Sequence, residues 1–151
     1  MNRTLWMDLS ILLARLALGL YFAIAGWRKI AGGVSKFVDG PFASTSPDFI
    51  PAALLRPYGY VLPFLELLAG VLLVLGLFGR VAAGLMVLML LSILIALITQ
   101  AGNLSANVNS GTPFHANYVF LTLALLLMLI GPGRFSLDAL LPWRRRAGAA
   151  R

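Results

Sequence analysis

Charged residues inside apolar runs are the groups best placed to do chemistry in this chain. Glu66 stands within Pro63–Arg80, PFLELLAGVLLVLGLFGR, where every other residue before Arg80 is apolar, proline or glycine. A carboxylate there is costly in lipid and calls for a partner or a function. Glu66, Gly70, Leu73 and Leu77 recur at helical spacing, so a small residue next to the carboxylate lets another helix approach closely. Arg15 is the matching charge in the first apolar run. Counted along a helix, Arg15 lies about 13 Å from one membrane face and Glu66 about 12 Å from the other. In a core of about 30 Å those depths differ by roughly 5 Å, which an arginine side chain spans. An Arg15–Glu66 pair is therefore expected, serving either to dock two helices or to floor a ligand or proton site.

Arg15, Gly19, Phe22, Gly26 and Lys29 follow one another on one helical face, a packing seam with two glycines. Gly70 and Gly84 are expected to act similarly on the second and third helices. Lys29 is either an anchor at the membrane surface or a cation facing a ligand. His115, the sole histidine, sits beside Asn117 and shares a face with Tyr118 and Thr122. With Arg28, Lys29 and Phe22, these residues (His115, Asn117, Tyr118) form the candidate ligand set beneath the first loop. One histidine and no cysteine cannot ligate a haem on both sides or build a zinc site, so no metal or haem is expected. Gly84, Ser92, Ala96 and Thr99 read as helix contact. Phosphate loops, nucleophile elbows and paired catalytic carboxylates are absent from the sequence.

The elements that must position these residues follow from composition. The 151 residues are 60% hydrophobic and 11% charged, with a mean hydropathy of +0.92. A soluble domain carries about a quarter charged residues, so the chain reads as a membrane protein. Apolar segments at about 6–30, 58–78, 81–98 and 114–130 predict an all-α bundle of four transmembrane helices. Asp8 and Arg15 argue against a cleaved leader in the first segment. The connection from Ala31 to Arg56 is long for a compact domain and carries four prolines, which predicts a lid or binding element, with a short surface helix over Pro47–Leu55. Residues 1–142 make the membrane domain, and 143–151 a basic, disordered tail. The net charge of +7 comes from residues at segment ends and in that tail. No basic stripe alternates with aromatics, so the cations read as lipid anchors, with the bilayer rather than nucleic acid as partner.

The spacing Arg15-x3-Gly19-x2-Phe22-x3-Gly26-x2-Lys29 resembles the first helix of the DoxX family of small four-helix bacterial membrane proteins. Pro63-x2-Glu66-x3-Gly70-x5-Gly76 with Gly79-Arg80 is similar to its second helix, and Gly131-Pro132-Gly133-Arg134-x-Ser136-Leu137-Asp138 to its closing motif. The resemblance implies a bundle in the cytoplasmic (inner) membrane. It also implies redox association: a subunit of a quinone-linked complex, such as thiosulfate:quinone oxidoreductase, with quinone as candidate cofactor and redox proteins as partners. A quinone-reducing enzyme acting on an external sulfur compound, and a non-redox transporter or scaffold, stay open as alternatives. So does homo-oligomerisation. The chain lacks the cysteines of similar four-helix quinone reductases.

Four crossings put Arg3, Arg80, Arg134, Arg144, Arg145, Arg146 and Arg151 on one side and Arg28, Lys29, Lys36 and Arg56 on the other. The positive-inside rule then places both termini in the cytoplasm and the first loop outside. A reporter active only outside the cytoplasm should be silent when fused after Arg151 and active when inserted between Asn103 and Asn109. The reverse pattern would overturn the orientation.

Overall fold

A computed structural model describes residues 3–101 and 116–141. The chain forms α1 (Arg3–Ala31), α2 (Val34–Phe37), a π-helical turn (Val38–Phe42), α3 (Ala43–Thr45), α4 (Ala52–Leu75), α5 (Gly79–Ala101), α6 (Asn117–Ile130) and α7 (Leu137–Leu140). Helices α1, α4 and α5 are long and apolar enough to cross a membrane, and α6 is a shorter apolar helix of 14 residues. Leucines and valines on their outer faces, such as Leu13, Leu88, Val119 and Leu129, are exposed. That pattern suits a bundle solvated by lipid, where every backbone group must be satisfied within its helix. The protein is an all-α, multi-pass membrane protein.

The core runs along the centre of the bundle, through Leu18 and Phe22 of α1, Leu62 and Leu73 of α4, Met86 and Leu90 of α5 and Leu127 of α6. The α1–α4 contact is the closest. A Cβ on Gly19 would stand 2.8 Å from the Gly70 carbonyl oxygen, one on Gly26 2.5 Å from that of Pro63, and one on Gly70 2.4 Å from the Ala23 nitrogen. These pairings run in opposite directions along the two helices, so α1 and α4 are antiparallel. Gly84 differs: a Cβ there would meet only the Met128 sulfur, at an ordinary 3.6 Å.

Helix boundaries depart from the expected ones at α4. It begins at Ala52 rather than near residue 58, and continues through Pro57 and Pro63. It ends at Leu75 because Gly76 adopts φ 65°, a left-handed conformation that glycine takes at little steric cost. Gly76 N–H then donates to Leu73 O and Leu77 N–H to Leu72 O, which closes a Schellman cap. The expected helix over Pro47–Leu55 is not formed. Residues 46–51 are irregular, and helical turns instead occupy 34–45. Pro41 lies inside the π-helical turn. Its ring crowds the preceding turn and supplies no N–H, and a wider turn accommodates both effects. The expected tail, 143–151, lies outside the described residues, as do 142 and 102–115.

Gly70→Val should lower the melting temperature in detergent, since overpacking a tight contact costs about 1–3 kcal/mol. Gly84→Ala, placed in ordinary contact space, should change stability by less than about 0.5 kcal/mol. Comparing thermal unfolding of the two variants tests whether close backbone approach is specific to the α1–α4 seam.

Candidate functional site

The two ends of the α1–α4 seam carry different polar chemistry. At one end α1 presents Arg15 to the C-terminus of α4, where outward carbonyls and the helix dipole favour a cation. Arg15 is 2% exposed. Its Nη2 donates to Phe135 O at 2.9 Å and Val74 O at 3.3 Å, and its Nη1 donates to Pro132 O. Its Nε has no partner among the described residues. A Cβ on Gly76 would lie 2.7 Å from the guanidinium carbon, so glycine is needed there for space as well as for conformation. Asp138 completes this end. Its carboxylate accepts the Phe78 and Gly79 N–H groups at 2.8 and 2.9 Å, at the N-terminus of α5. Asp8 accepts the Arg134 N–H at 3.1 Å. Arg15, Asp138 and Asp8 thus tie α1, the α4–α5 turn and the segment after α6 together.

Glu66 belongs to the other end. The expected Arg15–Glu66 pair is not formed. Lys29 Nζ donates to Glu66 Oε1 at 2.7 Å and to Oε2 at 2.6 Å. The reason is register. Gly19 lies against Gly70 and Val74, and Gly26 against Pro63 and Leu67. Glu66 is therefore level with about residue 25 of α1, about ten residues or 15 Å from Arg15. Depths counted from apolar run ends misplaced it, because α1 and α4 both extend beyond those ends. Lys29 is about one turn from level with Glu66, which a lysine stem spans.

The Lys29–Glu66 pair borders a half-enclosed cavity of about 570 Å³. Its walls come from α4 (Tyr58, Leu62), α5 (Ser92, Ala96) and the helical turns of residues 34–45 (Phe37, Phe42). Gly59 makes this roof fit, since a Cβ there would stand 2.8 Å from the Phe42 ring. Lys29 Nζ also lies 4.8 Å from the centre of the Phe37 ring, a cation–π contact. Tyr58 and Ser92 hydroxyls are hydrogen-bonded to each other, and Ser92 donates to Met89 O at 2.7 Å. Ser92 has one proton, so Tyr58 is the donor of the pair and keeps its own lone pairs for a guest. Two of the three Lys29 N–H groups are used by Glu66. Lys29 and Tyr58 thus offer the cavity a donor and an acceptor beside an ion pair with no net charge.

Of the predicted ligand residues, Lys29 and Asn117 line this cavity. Arg28 is exposed and does not line it. Phe22 is buried elsewhere, its ring 5.2 Å from Tyr21 and 5.6 Å from Phe120. Tyr118 is not in its wall, and His115 lies outside the described residues. Sequence reasoning missed Tyr58, Phe37 and Phe42, and assigned Ser92 to helix packing alone. A signal existed in Ser92, a hydroxyl in a helix with no charge between Val81 and Ile98.

Lys29→Met and Glu66→Met should each destabilise the protein in detergent by about 3–5 kcal/mol, the cost of stranding one member of a buried pair. The double variant should lose clearly less than the sum. Arg15→Met combined with Glu66→Met should be additive within about 0.5 kcal/mol, because those side chains share no partner. Thermal or denaturant unfolding of the full set of variants reads both outcomes.

No curated protein and no solved structure gives a significant match to this chain. A family model described as DoxX matches residues 10–99, from α1 almost to the end of α5. That range includes the α1–α4 seam, the Lys29–Glu66 pair and most of the cavity wall. With more than half of its length matched, the chain belongs to the DoxX family.

Proposed function

We propose that this protein is an inner-membrane subunit of a quinone-linked redox complex and holds a quinone head group in the cavity beside Lys29 and Tyr58. Four helices cross the membrane in this reading, with both termini cytoplasmic and the cavity in the half of the bundle away from them. The observation that carries it is the make-up of the cavity: mostly apolar walls with Lys29, neutralised by Glu66, and the Tyr58–Ser92 hydroxyls among them. Small-molecule sites combine apolar surface with a few placed polar groups, and a cavity of this size holds a ring with part of a side chain.

Charge balance selects the ligand class. Glu66 already neutralises Lys29, so an anionic head group would face a nearby carboxylate with no uncompensated cation to balance it. A neutral ring with oxygen substituents meets both remaining groups. A quinone oxygen accepts from Lys29, and the hydroxyl of the reduced form donates to Tyr58. Electrons come from a partner protein in this reading, since the chain has no cysteine to pass them.

Binding of a tail-less benzoquinone and of its hydroquinone to purified protein in lipid nanodiscs tests the proposal. Tyr58→Phe should weaken hydroquinone binding about 3- to 10-fold, the worth of one neutral hydrogen bond. Arg28→Ala should leave it unchanged. Saturable binding that ignores Tyr58→Phe would move the head group elsewhere, and no saturable binding by the wild type would remove the quinone role.

A further inference from the structure

We propose that the cavity opens sideways into the bilayer, in the leaflet remote from the α4–α5 turn, and that its ligand carries a long hydrocarbon tail that leaves between the start of α4 and the outer part of α5. This rests on the quinone reading and adds the ligand's tail and its route. Tyr58 and Ser92 stand about one turn deeper along α4 and α5 than Leu54 and Ile95, while Thr45, Ser46 and Asn117 add polar side chains to the lining of the cavity. Leu54 of α4 and Ile95 of α5 also line it, yet are 67% and 52% exposed, so they form its open rim. Both stand on membrane-crossing helices. Ile95 is four residues before Thr99, the end of the apolar span, and so lies about 6 Å inside it. An isoleucine exposed at that depth faces lipid chains, and Leu54, two residues into α4 and before Arg56, marks the outer edge of the rim.

The approach from water is roofed instead. Phe42 of the π-helical turn is seated on Gly59, and Asp39 in the same turn pairs with Arg56 of α4. The roof is therefore fastened to α4 at two points, while the exposed rim residues Leu54 and Ile95 are apolar. A cavity of about 570 Å³ takes a ring and only the first part of a long tail. The remainder has to leave, and the apolar rim gives it a path that never meets water. The groove between α1 and α6, lined by Trp6, Ile11 and Leu126, includes no ionisable side chain, and its polar groups are the Trp6 indole N–H and the Ser10 hydroxyl. That hydroxyl already donates to Trp6 O at 2.9 Å.

The test is photolabelling in nanodiscs with a benzoquinone whose alkyl tail carries a diazirine, followed by peptide mapping. Label is expected on residues 52–58 and 92–97. Excess tail-less benzoquinone should abolish that label, because it competes for the head-group site. Label on the α1–α6 groove or on other segments, with the tail-less compound still bound at Tyr58, overturns the lateral route alone. Label on residues 52–58 and 92–97 that excess tail-less benzoquinone does not displace overturns it as well. Failure of the wild type to bind tail-less quinone would overturn the quinone reading, and the tail with it.

Discussion

Close approach of α1 and α4 sets the rest of the structure. Three glycines, Gly19, Gly26 and Gly70, let the two backbones come within contact distances that any side chain would block. In lipid there is little hydrophobic gain from bringing helices together, so tight van der Waals packing has to hold them. The seam fixes the antiparallel register to within a residue or two. Register in turn decides which polar groups meet: Arg15 falls against Gly76, and Lys29 reaches Glu66.

The two ends of that seam satisfy buried charge in different ways. Glu66 is 1% exposed and receives two N–H groups from a lysine whose side chain keeps about a quarter of its surface accessible. The pair removes a net charge from the membrane interior and still leaves one donor beside the cavity. Among the described residues Arg15 has no carboxylate as a direct partner. It is held by backbone carbonyls at the end of α4 and in the segment after α6, where those oxygens have no further helical N–H to accept. Asp138 does the complementary job for the first amides of α5. Apart from the Arg15 Nε–H, one end is therefore engaged in holding helices, and the other retains hydrogen-bonding capacity beside the cavity.

That capacity becomes a site only because residues 34–45 fold back over it. Their short helices contribute no buried polar cluster of their own. They bring Phe37 and Phe42 over α4, and Gly59 leaves the notch into which Phe42 fits. Aromatic rings above, apolar side chains at the sides and a neutral ion pair below make an enclosure suited to a flat, uncharged ring. The Asp39–Arg56 pair is exposed, and screening leaves such a surface contact worth less than about 1 kcal/mol. The roof rests chiefly on the packing of Phe42.

What the sequence determined by itself follows from local rules. Apolar length requires membrane-crossing helices, glycine spacing marks the seam on α1, and an intramembrane Glu66 demands a partner. Those inferences depend on residues near in the chain, and their period survives whatever the neighbours do. The identity of the partner does not work that way. Arg15 and Lys29 lie on the same face of α1, and each was chemically eligible for Glu66. Only the register of α4, set by where that helix begins and by which atoms touch Gly19 and Gly26, chose Lys29. Tyr58, Ser92 and Phe42 became one cavity for the same reason, since they sit on three separate elements whose juxtaposition no local pattern encodes. Tertiary packing made that choice because a side chain's partner is set by distance in space, and one turn of helix register moves it by about 5 Å.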